Sequence, residues 1–370
     1  MKVLLIRSTS VLNDSRATKE IQSFLKAGFK VTVLGWDREK RNNVNEKISI
    51  KENCAELHFF NLKCSYAGGM KNIFKMLFFQ IWIALKMLVY YKKYNVVHCC
   101  DFDTSIFAFF IAKLLKKKFV YDIYDYYVES HNLGHLKKYI ENCEIKTINN
   151  ADLVIICTEQ RKKQIFKSLP KKLIVIHNSP DISYNNQNTN NYYNKKKLNI
   201  CYVGILSENR LLEEVTCEII KRNDIQLHVG GFGEKTVYFK NMAKKYNNIK
   251  YYGSLKYEEV LKLESKCDVL FATYNPNIPN HKYSAPNKVY EAMALDKPII
   301  VCKNTGIDKL ICEEKLGIAI NYDGKEFIKA IDKIKNKKFI YNKGNGKKLY
   351  SEKYGWKIME EKLIKSYRDL

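Results

Sequence analysis

No C-x-x-C pair occurs anywhere in the chain. Its eleven cysteines stand singly apart from Cys99 and Cys100. That excludes a zinc cluster and a disulfide framework, and leaves small apolar residues suited to a reducing compartment. A secretory leader is also missing: MKVLLI runs straight into an apolar strand, with no basic start, long apolar core or small-residue cleavage site, which predicts a cytosolic protein. No apolar run reaches the roughly 20 residues that a membrane-spanning helix needs. Acidic residues are in deficit, 39 against 64 Lys plus Arg, for a net charge of +25. The surplus favours an anionic partner such as phospholipid head groups, a nucleotide diphosphate or nucleic acid. Lys and Asn are abundant even in evident linkers, so a coding bias explains the charge equally well, and charge alone does not select the partner. The aromatic-interleaved motif of RNA-binding sheets is missing and the positive charge is spread along the chain, so nucleic acid is not expected.

What is present argues for a folded two-domain protein. At 370 residues the chain exceeds the usual ceiling for one core, and 46% hydrophobic with 13% aromatic residues speaks against disorder. Short β-branched runs alternate with helical patterns, the signature of βαβ units on a parallel sheet. They are VLLI at 3–6, VTVLGW at 31–36, NVVHCC at 95–100, KFVYDIYD at 118–125, DLVIICT at 152–158 and KLIVIHN at 172–178, with a helix from Ser15 to Ala27 closed by Gly28. DISYNNQNTNNYYNKKK at 181–197 has almost no aliphatic residue and predicts an exposed linker. A second series follows: LNICYVG at 198–204, IQLHVGGFG at 225–233, IKYYGSL at 249–255, DVLFATY at 268–274 and KPIIVCK at 297–303. The predicted fold is α/β, two tandem Rossmann-like domains (1–180 and 198–350) facing a central cleft, since ligands in such sheets sit at the carboxyl ends of the strands. A last helix at 351–370, with Trp356, Met359, Leu363 and Tyr367 at helical spacing, packs back across the domains.

The stretch from Met76 to Tyr91 is nearly all apolar, interrupted by Lys86. Wound at about 100° per residue, Lys71, Lys75, Lys86 and Lys93 fall within roughly 60° of one another. A wide apolar face with Phe74, Phe78, Trp82 and Leu85 remains. This is either a core helix against the first sheet or one that also touches a membrane surface through its basic edge.

PNKVYEAMALDKPII at 286–300 carries the most chemistry. Pro286 near the first helical position leaves the following amides free, and free amides with the positive end of the helix dipole form an anion site at Asn287 and Lys288. Glu291, one turn deeper on the face of Asn287, is placed to accept two ribose hydroxyl hydrogens. A Glu in a first helical turn is also an ordinary dipole partner. The stretch resembles the donor-binding motif of family 4 glycosyltransferases of the GT-B fold, x-K-x-x-E-A-M-A-x-x-K-P-I-I, in which the Glu contacts the nucleotide ribose. NDSRATKEIQSFLKAGFKVTVLGWDRE at 13–39, NVVHCCDFD at 95–103, ADLVIICTEQRKKQI at 151–165, YVGILSENRLLEEV at 202–215, the glycine turns at Gly230–Gly233 and Gly253, and the Trp356 helix are similar too.

The resemblance implies a retaining transfer with no protein nucleophile. It places Arg210 on the donor diphosphate, where departure of the nucleoside diphosphate develops negative charge that a metal-independent enzyme must meet with Arg, Lys and amide donors. The expected donor set is Gly204, Gly253, Ser254, Leu255, Ser284, Asn287, Lys288 and Glu291, with Arg210, Lys288, Glu291 and His98 as the catalytic candidates. Asp14, Arg16, Asp101, Tyr124 and Asp125, at strand ends of the first domain, are the acceptor-side set. Asp101-Phe102-Asp103 fits a strand-end loop rather than a manganese site, and no metal is expected. Tyr283 stands where many members carry a first Glu, and Tyr124 where many carry a His; both departures touch the sugar side. The expected function is transfer of a sugar from a nucleotide-diphosphate donor to a surface glycan, lipid-linked, at the cytosolic face of a membrane. A nucleotide-sugar 2-epimerase of the same fold and an inactive basic membrane-associated binding protein are the alternatives.

Overall fold

Each apolar run too short for a helix becomes a strand buried on both faces, and the amphipathic stretches between them become the covering helices. The computed structural model describes residues 1–39, 48–50, 53–64, 72–182 and 197–370. The linker expected at 181–197 therefore lies almost wholly outside the described residues, as does Lys71. The chain divides into two units, Met1–His177 with Met359–Leu370, and Asn178–Ile358.

The strands of the first unit are β1 (Lys2–Arg7), β2 (Lys30–Asp37), β3 (Ser49–Ile50), β4 (Asn53–Cys54), β5 (Glu56–Asn61), β6 (Val96–Cys100), β7 (Lys118–Ile123), β8 (Leu153–Ile156) and β9 (Leu173–Val175). Seven of them form a parallel sheet in the order β5-β2-β1-β6-β7-β8-β9, while β3 and β4 make a small antiparallel pair. The order reverses beside β1, between β2 and β6, which is where such sheets open a crevice. The edge strand β5, ELHFFN, is half-buried and mixes polar with apolar residues, so it lacks the continuous apolar run that marks the other strands.

Helices α1 (Ser15–Lys26), α2 (Ile73–Val89), α3 (Phe102–Leu114), α4 (Tyr127–Ser130), α5 (Lys137–Asn150) and α6 (Arg161–Gln164) accompany this sheet. The Asp14 carboxylate caps α1 by accepting from the amides of Arg16 and Ala17, and Gly28 (φ 78°) follows its end. On α2, Phe79, Ile83 and Met87 enter the core. Trp82 is half-buried against Phe60 and Phe79 rather than standing out with Phe74, Phe78 and Leu85, and Lys93 lies beyond the helix end. No described helix is long and apolar enough to cross a membrane.

In the second unit β10 (Leu198–Ile205), β11 (Ile225–Phe232), β12 (Ile249–Tyr251), β13 (Val269–Ala272), β14 (Ile299–Cys302) and β15 (Gly317–Ile320) form a six-stranded parallel sheet, order β12-β11-β10-β13-β14-β15. β10 sits at the reversal, between β11 and β13. The GIAI run of β15 escapes a sequence reading because four short apolar residues carry no periodicity. The helices are α7 (Leu212–Ile219), α8 (Thr236–Lys245), α9 (Tyr257–Lys266), α10 (Asn287–Leu295), α11 (Asp308–Glu313), α12 (Gly324–Lys335) and α13 (Asn345–Leu349). The last helix, α14 (Trp356–Arg368), belongs from Met359 onward to the first unit, where Met359, Leu363 and Tyr367 are buried.

The first unit also buries a titratable carboxyl. Glu144 of α5 is fully enclosed; its Oε1 accepts from the Tyr121 hydroxyl at 2.8 Å and the Tyr127 amide at 3.2 Å. Burial pushes its pKa up to about 8. Between the unfolded carboxyl value, about 4.5, and 8 the folded state holds a proton that the unfolded chain has released, so stability falls as pH rises through that window. Glu144→Gln removes this titration. The variant is expected to gain thermal stability over the parent at pH 8, on the order of a few kcal/mol, and to gain little at pH 5, as read from melting curves at the two pH values.

Candidate functional site

Two cations at the carboxyl ends of the second unit's strands make no ion pair with a carboxylate among the described residues. Lys288, the second residue of α10, is 8% exposed, and its ammonium makes no hydrogen bond or ion pair with any described residue. It lies 4.5 Å from the centre of the Tyr202 ring and against Gly204, where a Cβ would come within 2.6 Å of Nζ. Glycine at 204 is thus what lets the ammonium sit on the end of β10. Burial works against this charge, but Tyr202, Tyr274, Glu291 and Glu264 outweigh it and hold the pKa above the usual lysine value.

Arg210 closes a one-turn 3-10 helix, Glu208–Arg210, after β10, separated from α7 by Leu211 in the left-handed region (φ 58°). It is therefore a turn residue and not a helix start. Its guanidinium carbon stands 3.7 Å over the Tyr274 ring, and Nη1 donates to Nε2 of His281 at 2.9 Å. Nδ1 of His281 faces the Asn275 carbonyl at 3.0 Å. Both contacts are satisfied only when Nδ1 carries the proton and Nε2 is the acceptor, which assigns the tautomer. The Thr273 hydroxyl donates to the Arg210 carbonyl at 2.6 Å. Burial raises the Tyr202 phenol while Lys288 and Arg210 both pull it the other way, so the two cations act on one phenol.

Around them, Pro286 occupies the cap position of α10 and Asn287 begins the helix without a side-chain cap. The Ser284 hydroxyl donates to the His281 carbonyl at 3.0 Å, bracing the turn that presents the imidazole. Gly253 (φ 71°) accepts from the Gly231 amide at 2.6 Å, Ser254 is exposed, and Leu255 packs on Gly230. Glu291 is only 4% exposed and faces Tyr257 and Glu264. Burial, with Glu291 adding to it, raises the Glu264 carboxyl well above its usual range.

In the first unit the acceptor-side candidates form one charge cluster. Arg7 donates to Asp14 at 2.8 Å and also pairs with Asp101. Asp101, at φ 68°, accepts from the amides of Tyr124 at 2.8 Å and Asp125 at 3.1 Å. The Tyr124 ring lies between the guanidinium carbons of Arg7, at 4.3 Å, and Arg16, at 4.6 Å. Arg16 is buried and fully engaged, by Asp122 at 2.8 Å, Glu20 at 3.1 Å and the Ile176 carbonyl at 2.9 Å. Burial and Asp122 push the Glu20 carboxyl above the usual range; burial opposes the Asp122 charge as well, but Arg16 and His98 outweigh it. His98 is 0% exposed, with Nδ1 on the Tyr367 hydroxyl and Nε2 at 3.5 Å from Glu20 and 3.6 Å from Asp122. Asp125 is exposed and lies 3.7 Å from Arg161.

Sequence reasoning thus missed Tyr202, Tyr274, His281 and Glu264 beside the donor set, and Arg7, Glu20, Asp122 and Tyr367 beside the acceptor set. His281 stands two residues from Tyr283, inside the stretch already under scrutiny, but nothing in its spacing reveals a bond to Arg210. Glu20, His98 and Cys100 bring ligand atoms within 4.8 Å of one another. The Arg16 guanidinium already pairs with Glu20 there, so a cation would meet an existing positive charge.

Residues 18–184 match the family described as Glycosyltransferase Family 4, and residues 197–337 match Glycosyl transferases group 1. Solved structures align over the whole chain. A sucrose-phosphate synthase from Thermosynechococcus elongatus does so with a TM-score of 0.78 and 14% identity, covering 100% of this chain and 99% of that one. HepE from Anabaena, solved with UDP and glucose, gives 0.70 and 13%, covering 100% of both chains. A lipopolysaccharide outer core galactosyltransferase, WaaB in its apo form, gives 0.67 and 16%, again over 100% of both. No curated protein matches the chain. The fold is GT-B. This chain belongs to the group 1, family 4 glycosyltransferases.

The seat of Lys288 depends on a close approach of strands. Gly231 has φ 127°, and a Cβ there would lie 1.8 Å from the Gly204 carbonyl oxygen. Gly231→Ala is expected to destabilise by about 3 kcal/mol or more, seen as a large drop in melting temperature. An unchanged melting temperature would contradict this reading of the β10–β11 contact.

Proposed function

We propose that the protein moves a sugar from a nucleoside diphosphate donor to a surface-glycan acceptor carried on a lipid, with retention of configuration and without a metal ion. The observation that carries this reading is the pair of cations, Lys288 and Arg210, seated on tyrosine rings with no ion pair to a carboxylate among the described residues. A buried cation is costly unless an anion meets it, and a diphosphate is an anion of the right charge and reach. HepE, of similar fold, was solved with UDP-glucose, which supports a donor of this class.

In the proposed step the bond from the sugar's anomeric carbon to the diphosphate breaks, and the acceptor hydroxyl bonds to that carbon on the same face. The hydroxyl proton passes to the departing phosphate oxygen. Lys288 and Arg210 stabilise the charge that develops on the leaving group, and the free end of α10 adds its dipole. Glu291 takes the ribose hydroxyls, with Gly204, Gly253, Ser254, Leu255, Ser284 and Asn287 around the nucleotide. His281 keeps Arg210 aimed. On the acceptor side Asp14, Asp101, Tyr124 and Asp125 meet the incoming hydroxyl, while the enclosed Arg16 and His98 act by holding Tyr124 and Asp122 in place.

Arg210→Ala and Lys288→Ala are each expected to lower transfer by roughly a hundredfold, and Glu291→Ala similarly, with melting temperatures showing that the variants fold. A thermal-shift panel of nucleoside diphosphates should raise the melting temperature of the parent protein and not of the two cation variants. Near-normal turnover in Arg210→Ala and Lys288→Ala would overturn the assignment. Product analysis separates transfer from epimerisation at C2, because an epimerase needs no acceptor.

A further inference from the structure

The outer face of α2 has no counterpart in the chemistry above. Phe74, Phe78, Leu85 and Val89 are 73%, 57%, 58% and 71% exposed, with Ile81 and Leu88 also standing in solvent between them. At about 100° per residue, the exposed side of the helix from Ile73 to Val89 covers an arc of roughly 160° without one hydrogen-bonding side chain. The opposite side, with Phe79, Ile83 and Met87, is buried in the core, so the outer face is not a misoriented core face. Helix α3, packed beside α2, adds Phe110 and Leu114, 66% and 72% exposed. Soluble proteins rarely leave so large a continuous apolar surface to water.

We infer that this face is a docking surface for an anionic phospholipid bilayer, with α2 lying in the plane of the head groups and its apolar side chains in the acyl boundary. Three observations select a bilayer over a protein partner. The arc has no polar atoms, whereas protein interfaces carry about one hydrogen bond per 100–200 Å². Its edge is basic: Lys75, which donates to the Lys63 carbonyl at 2.9 Å, and Lys86 lie just beyond Phe78 and Val89 on the helical wheel, and Lys92 follows the helix end, while Lys93 is paired with Glu56 at 3.0 Å. Lys86 reaches along the surface, its ammonium 5.4 Å from the Tyr90 ring, as a cation does when its stem covers apolar surface and its head stays at the interface. The helix is about 25 Å long at 1.5 Å per residue, too short to span but long enough to lie in an interface. The chain's net charge of +25 acts in the same direction. The inference supplies a place for the lipid-linked acceptor and to that extent rests on that reading. Vesicle binding is measured without donor or acceptor, so the two fail separately.

The full-length protein is mixed with vesicles of phosphatidylcholine alone or with about one third phosphatidylglycerol, and the bound share is read by flotation. The expected result is binding to the anionic vesicles, reduced on the order of tenfold in Phe78→Asp/Leu85→Asp, whose residues are exposed and whose melting temperature should match the parent. Lys75→Gln/Lys86→Gln should weaken binding to anionic vesicles by several-fold and leave any binding to neutral ones unchanged. Absence of binding, or binding undiminished in the Asp variant, would overturn the inference. So would a concentration-dependent dimer, seen by sedimentation, that the Asp variant abolishes, because a second copy would then be the occupant.

Discussion

The Lys288 ammonium, buried on the end of β10 with no ion pair to any described residue, is the constraint around which the second unit is arranged. Removing a charge from water costs several kcal/mol and one ring face returns only a fraction of that; Glu291 and Glu264 contribute without forming an ion pair, and the ammonium stays charged. The surroundings make the position tenable without cancelling the charge. Gly204 leaves room for Nζ, Gly231 lets β11 approach the same carbonyl, and Tyr202 offers its π face. Arg210 follows the same plan, with Tyr274 under the guanidinium and a neutral nitrogen of His281 as acceptor in place of a carboxylate. A carboxylate at either position would neutralise the cation; a tyrosine or an imidazole orients it and leaves its charge available.

The first unit treats its charges in the opposite way. Arg7 and Arg16 are each claimed by two carboxyl groups, and Tyr124 packs its ring against both guanidinium groups. Such a network fixes geometry and leaves little free field. The Tyr367 hydroxyl on His98 ties the last helix into that network.

Much of this architecture can be read from the residues alone, because strands buried on both faces appear as uninterrupted β-branched runs. VLLI, VTVLGW and LNICYVG lie within strands, and IQLHVGGFG does so but for its last glycine. The misses have physical reasons. β5 is half-exposed and mixes polar with apolar residues, and β15 is four residues long. At the candidate site, Lys288 and Glu291 were legible from helix-start chemistry and a resembling motif, and Arg210 from the resemblance alone. Their supports were not. Tyr202 looks like any strand aromatic, and its role depends on the chain bringing α10 back across the end of β10. Glu264 lies on α9, and nothing local in a helix sequence announces that its carboxyl faces another from α10. His98, expected as a catalytic candidate from its place at a strand end, is enclosed, since β6 is buried on both faces and the Tyr367 hydroxyl of the last helix closes on the imidazole.

The most direct measurement is a diffraction structure of the protein with a bound nucleoside diphosphate. The account predicts phosphate oxygens within about 3 Å of both the Lys288 ammonium and the Arg210 guanidinium, with His281 still holding Arg210. A diphosphate seated elsewhere, with Lys288 still unpaired on Tyr202, would contradict it.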